Sequence, residues 1–161
     1  MNEKELEVRI ERVKKRTPEI YNDVLHVVVP FYMFHQKLHE GTNKIQEHRY
    51  NITSSELDVM RCLLLSNNDD NILSPTQIHD KLMFTSGAIT KVLKKLEERA
   101  YIIRLDNQYD KRSNLVQLTS EGCEVCKKAL TDLFNFEEEC FSKLSKVEVN
   151  TYKELTLKLL S

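Results

Sequence analysis

Glycine and proline are nearly missing from this sequence, which has three of each among 161 residues. Average chains carry roughly 7% glycine and 5% proline. A β-sandwich or barrel needs a turn between each pair of short strands, so the shortage excludes an all-β fold. Gly41, Gly87 and Gly122 lie far apart, which leaves no glycine-rich loop to cradle a phosphate. Long apolar runs are missing too. The longest nearly apolar stretch, Val27 to Phe34, contains Pro30 and is far shorter than the ~20 residues needed to cross a membrane, so no membrane partner is expected. The N-terminal MNEKELEVRIERVKKR mixes acids and bases without an apolar core, unlike a signal peptide. Four cysteines are too few for a disulfide scaffold and point to a reducing cytoplasm. Nor is one sign of charge in excess: 24 Lys+Arg face 25 Asp+Glu, for a net charge of -1. Taken as an average, that balance gives no reason to expect nucleic acid as a partner.

What is present is charge segregated along the chain. Residues 1–50 hold nine bases and eight acids, net +1, and residues 51–84 hold two and five, net -3. Residues 85–118 hold seven and four, net +3, and residues 119–161 hold six and eight, net -2. The basic block in the middle is a localised electrostatic footprint that the average hides. A hydrophobic content of 40% suits one globular domain, with or without an appendage.

Helix starts are written clearly. Thr17-Pro18-Glu19 offers an N-cap, a proline at the first helical position and an acid in the first turn. Thr53 to Glu56, Ser74 to Gln77 and Ser145 to Glu148 are capping boxes, in which cap hydroxyl and third-residue side chain each satisfy an orphan backbone donor. Thr85 and Thr119 are simple N-caps. Helical periodicity follows these caps in Val59, Met60, Leu63 and Leu64; in Ile78 and Leu82; in Ile89, Val92, Leu93 and Leu96; in Val125 through Leu144; and in Tyr152, Leu155 and Leu159. Leu6, Ile10 and Val13 predict a helix over residues 3–16. Residues 18–48 should be helical as well, with Pro30 kinking or splitting that helix. Tyr101 to Leu105 and Leu115 to Leu118 are β-branched or aromatic strand candidates around a polar loop, hence a hairpin. The expected class is mainly α with a single β-hairpin.

A short helix from Pro75 to Leu82, a tight link through Met83-Phe84 and a longer helix from Ser86 to Arg99 form a helix-turn-helix, and the hairpin follows as a wing. Thr85, Ser86, Gly87, Ala88 and Thr90 are small enough to let a helix end approach base edges in a major groove, with Lys91, Lys94 and Lys95 behind them. Lys111 and Arg112 stand at the wing tip, where a guanidinium can enter a minor groove, and Asp110 can brace it. The stretch TSGAITKVLKKLEERAYIIRLDNQYDKRSNLVQLTSEG resembles the winged helix-turn-helix of the multiple antibiotic resistance regulator (MarR) family. The matching features are the small-residue helix start, Leu96-Glu97 before a hydrophobic strand, Asp110-x-Arg112, and Leu118-Thr119 with Gly122 three residues after the threonine. The likeness extends more loosely from about Tyr21 to the C-terminus. Ala100 departs from it, standing where the family has glycine at the helix exit.

That resemblance implies a cytoplasmic homodimeric transcription regulator, not an enzyme. It would be a repressor on a pseudo-palindromic double-stranded operator, released by a small-molecule, metal or oxidant effector. It implies dimerisation through residues 1–50 and 119–161 and DNA binding through residues 51–118. The recognition-helix role falls on Thr85, Ser86, Ala88, Thr90, Lys91 and Lys94, and the wing role on Asp110, Lys111 and Arg112. No cofactor is called for. Two further patterns carry alternatives. Cys123 and Cys126 form a CxxC at a helix start, where a thiolate would suit redox chemistry, although two small, partly buried packing residues at the start of a dimer helix fit better, with no second CxxC and no nearby His. His35 and His39 have the i, i+4 spacing of a metal pair, or of a partly exposed interface pair. A thiol-based redox protein, and a helical interaction module without DNA binding, are the competing functions.

Overall fold

The computed structural model describes residues 3–66, 71–106 and 114–161. The chain divides into two compact units, Met1–Glu40 and Gly41–Ser161.

In the first unit, α1 (Glu3–Arg16) buries Ile10 and half-buries Leu6 and Val13, the expected stripe. Thr17 stands at the N-cap position with Pro18 first in the turn, but its side chain does not cap: the hydroxyl turns back to donate to the Val13 carbonyl at 3.0 Å. Only a 3₁₀ turn, Pro18–Ile20, follows it. The helix expected over 18–48 begins instead at Leu25, after the Asn22 side chain has accepted the Val24 N–H at 2.9 Å. An asparagine side chain that captures a backbone donor two residues on makes its own turn. This helix, α2 (Leu25–Ile45), runs on through Pro30 without splitting. Proline there removes only the bond to the His26 carbonyl, near the helix start.

In the second unit, α2 ends in a π-helical turn, Gln46–Tyr50, closed by Asn51 in the left-handed region with φ 52°. Then come α3 (Ser54–Leu64), β1 (Ile72–Leu73), α4 (Pro75–Leu82), α5 (Ser86–Glu98), β2 (Ile102–Leu105), β3 (Leu115–Leu118), α6 (Ser120–Phe141) and α7 (Lys146–Leu160). All three predicted capping boxes form, at Thr53, Ser74 and Ser145. Thr85 and Thr119 cap as expected. β2 and β3 pair antiparallel, with Ile102 opposite Leu118 and Leu105 opposite Leu115. The hairpin is thus the predicted one, but β1 adds a third strand on the far side of β3, Leu73 opposite Val116. A strand of two residues has no periodicity to read. The core gathers Met60 and Leu63 of α3, Ile78 of α4, Leu93 and Leu96 of α5, Ile102 and Val116 of the sheet, and Ala129 and Leu133 of α6. No residue of α7 is buried.

The exit of α5 locks the core to α6. The N–H of Tyr101 donates to Leu96 O at 2.9 Å and that of Ala100 to Glu97 O at 2.9 Å, the two bonds of a Schellman close. Ala100 accordingly lies left-handed, with φ 56°, where glycine would be less strained by about 1 kcal/mol. On this turn α6 begins: Thr119 donates through its hydroxyl to Ala100 O at 2.8 Å and through its N–H to Tyr101 O at 3.0 Å. One turn into α6, a Cβ on Gly122 would collide with the Tyr101 carbonyl oxygen.

Two substitutions should therefore behave oppositely. Gly122→Ala is expected to destabilise by about 3 kcal/mol, roughly 6–12 °C in Tm for a chain of this size. Ala100→Gly should be neutral or stabilising, by up to about 1 kcal/mol, because the strain it relieves is offset by a more flexible unfolded chain. Thermal and denaturant unfolding of both variants check the pair.

Candidate nucleic-acid interface

Two adjacent caps build the helix-turn-helix. The Ser74 hydroxyl accepts the Gln77 N–H at 3.2 Å, and the Gln77 side chain accepts the Ser74 N–H at 2.8 Å, which starts α4 with Pro75 at its first position. Met83 ends α4 in the left-handed region, φ 52°, its N–H held by His79 O at 2.9 Å. Phe84 packs against the core, and Thr85 starts α5 by accepting the Ala88 N–H at 3.3 Å. Only Met83 and Phe84 separate the end of α4 from the cap of α5.

α5 is divided cleanly. Ile89, Val92, Leu93 and Leu96 are buried, while Ser86, Gly87, Ala88, Thr90, Lys91, Lys94 and Lys95 are exposed. The structure thus brings Thr85, Ser86, Ala88, Thr90, Lys91 and Lys94 together on the solvent side of one helix. Not all their polar atoms are equally available. Thr90 donates its hydroxyl proton to Ser86 O at 3.0 Å, and Lys94 lies 3.8 Å from Glu98, an exposed pair of little strength. Asp110, Lys111 and Arg112 lie outside the described residues, between the paired ends Leu105 and Leu115.

The basic block is smaller in effect than its count. Arg104 is held by Glu97 at 2.9 Å. Arg99 turns back toward the protein: it donates to Asn51 O at 2.5 Å and Tyr50 O at 3.0 Å, and its guanidinium sits 4.7 Å from the centre of the Tyr101 ring. It satisfies the carbonyls left open where the π-helical turn ends, and so fastens the end of α5 to the start of α3. The partners are 48 and 49 residues distant, so nothing in the local sequence marks this arginine as structural. Beside it, Tyr50 and Arg49 both donate to the Asp132 carboxylate of α6 at 2.8 Å. The Tyr50 and Arg49 hydrogen bonds hold the Asp132 carboxyl below its usual range, while burial and the bond to Asp132 push the Tyr50 phenol up.

The two cysteines of the CxxC have different surroundings. Cys126 is fully buried in the core, and burial, with Cys123 beside it, pushes its thiol up to about 12. Cys123 is half-buried and accepts a long bond from Asn71 at 3.8 Å. All four cysteines are free thiols. His35 and His39 are exposed with rings stacked 6.2 Å apart, and among the described residues no group of three His, Cys, Asp or Glu side chains is placed to hold a metal ion. Among the described residues no helix is long and apolar enough to cross a membrane.

A helix-turn-helix followed by a paired β2–β3 wing, with β1 closing the sheet, defines a winged-helix protein. The family model for the transcriptional regulators SarA/Rot matches residues 42–129, and the chain belongs to that family, a branch of MarR-like winged-helix regulators. PapX, an HTH-type transcriptional regulator of Escherichia coli, is 33% identical over 98 residues, covering 61% of this chain and 60% of PapX. The chain thus spans about three-fifths of that relative's length. MhqR, an HTH-type transcriptional regulator of Bacillus subtilis, is 32% identical over 108 residues, covering 67% of this chain and 72% of MhqR. The crystal structure of wild-type MarR from E. coli in its apo form superposes with a TM-score of 0.66 and 27% identity, covering 81% of this chain and 94% of that one. Members of this family are transcription regulators rather than enzymes.

Two measurements follow from the placement of Arg99 and Cys126. Arg99→Ala should lose about 2 kcal/mol of stability in denaturant unfolding, the worth of charged hydrogen bonds to otherwise unpaired carbonyls. A thiol with its pKa raised to about 12 is almost wholly protonated at pH 8, so Cys126 should resist alkylation in the folded protein. Mass-spectrometric mapping after iodoacetamide at pH 8 should find Cys126 unmodified until the chain is denatured.

Proposed function

We propose that the protein binds double-stranded DNA as a homodimer and represses transcription from a pseudo-palindromic operator, with release by a small-molecule effector. The observation that carries this is α5: a buried apolar face behind an exposed row of small residues followed by lysines, presented by a two-residue turn and followed by a wing. Small side chains at the amino end of a helix allow close approach to base edges, and the lysines one turn later suit phosphates. On this assignment Thr85, Ser86, Ala88 and Thr90 face bases, Lys91 and Lys94 face phosphates, and Lys111 and Arg112 reach the adjoining minor groove, with Asp110 bracing Arg112.

Pairing of two copies is supported by unspent apolar surface. On α2, Val27 and Phe31 are 66% and 51% exposed, and on α7 Val147, Leu155 and Leu159 are 58–85% exposed. A helix of 15 residues, none of them buried within its own chain, is marginal in water and gains its stability from a partner. Residues 1–50 and 119–161 are accordingly the dimerisation segments and residues 51–118 the DNA-binding domain. A cytoplasmic location follows from a DNA partner. A thiol-based redox activity is disfavoured by the buried, protonated Cys126. An interaction module without DNA binding remains the alternative that a mobility-shift assay separates.

Replacing Lys91 and Lys94 by alanine should flatten the dependence of log K on log salt by about 0.9 for each phosphate no longer neutralised, with sequence preference kept. Arg112→Ala should weaken binding to the segment upstream of its own gene, with the dimer intact by light scattering. A monomer at micromolar concentration, or a salt slope unchanged in the lysine variants, would refute the corresponding assignment.

A further inference from the structure

Two residues at the amino end of α5 run against what the protein's own fold favours, in opposite directions. Met83 occupies a left-handed position, φ 52° and ψ 27°, where glycine is unstrained and asparagine is next best. It is 92% exposed, the highest value among the large apolar residues of the described segments. Val27 and Phe31 on α2, and Tyr152, Leu155 and Leu159 on α7, recur at helical spacing on faces that a second copy can cover. Met83 belongs to no stripe, because its neighbour Phe84 turns into the core and Lys81 is charged and exposed. Gly87 shows the reverse. Its φ lies outside the left-handed region, and a Cβ built on it meets nothing within 4 Å, so neither backbone nor packing calls for glycine inside this helix. A large apolar side chain stands where the fold favours none, and none stands where the fold has room for one.

An external surface meeting this end of α5 accounts for both. On the DNA-binding function proposed above, that surface is a major groove. We infer that Met83 is a specificity-determining residue that packs on the C5-methyl group of a thymine at the edge of the half-site, while Gly87 clears the space that lets the turn come so close. A thymine methyl is the one apolar group that a base pair displays in the major groove, and a flexible thioether chain fits it without a polar partner.

The test uses the full-length chain and duplexes enriched by it from a random pool, with affinity read by fluorescence anisotropy. Met83→Asn keeps the left-handed position and removes the apolar chain. It should bind about tenfold more weakly, the lower end of what burial of a methionine side chain supplies, with its Tm unchanged or raised. Replacing the contacted thymine by uracil deletes only the methyl group. Uracil should weaken the wild-type protein's binding and leave that of Met83→Asn unaffected. Affinity of Met83→Asn within about twofold of wild type would overturn the contact, since a buried methionine side chain is worth more than that. A variant as sensitive to uracil as the wild type would overturn the assignment to the methyl group. Should the wild-type chain enrich no duplex at all, DNA binding itself fails, and this contact with it. Weakening in the variant alone, with the wild type still binding, is distinct from that result.

Discussion

The structure depends on the turn by which α5 ends. Two backbone bonds reverse the chain at Ala100, and the carbonyl of Tyr101, just before β2, then accepts both the N–H and the hydroxyl of Thr119 at the start of α6. Because Thr119 bonds to this turn and Gly122 packs directly against its carbonyl, the first turn of α6 sits closer than any larger residue permits. Arg99 holds the other side of the same turn, on the carbonyls of Tyr50 and Asn51. One reversal therefore sets the direction of α5, the root of the wing and the origin of the long C-terminal helix. Ala100 shows that the geometry is imposed by its surroundings: the position is left-handed although its residue is not glycine.

Around that junction the charges sort into two kinds. Arg99 and Arg104 belong to the fold, the first by bonding to carbonyls and the second by pairing with Glu97. The lysines of α5 point to solvent from a helix whose opposite face is apolar and buried. A chain with a net charge of -1 can still present a local positive surface, because screening limits the reach of distant acids to about 10 Å at moderate salt. The Asp132 carboxylate is likewise occupied by Tyr50 and Arg49, which ties α6 to the segment that Arg99 grips.

Much of this was legible in the sequence wherever the physics is local. Capping boxes at Thr53, Ser74 and Ser145 need only residues three apart, and each forms. The stripe Ile89, Leu93, Leu96 needs only helical period, and each residue is buried. Thr17 misleads because a threonine hydroxyl can serve the helix behind it as well as the one ahead, and Asn22 offers the better start. β1 was invisible because two residues become a strand only when β3 lies beside them. The candidate DNA-facing residues of α5 were readable from the pattern of small and basic positions. Asp110, Lys111 and Arg112 carry a sequence motif between two strand patterns, and their part in DNA binding belongs to the proposal.

The sequence by itself determined the helical class, the helix starts at Thr53, Ser74, Thr85, Thr119 and Ser145, the hairpin and the family likeness, since these rest on caps, periods and motifs spanning a few residues. Only the tertiary structure decided which bases are structural, that Cys126 is a core residue held protonated, and why Gly122 must be glycine. Those properties arise from groups tens of residues apart meeting in space, where burial and close approach, not local spacing, set the chemistry.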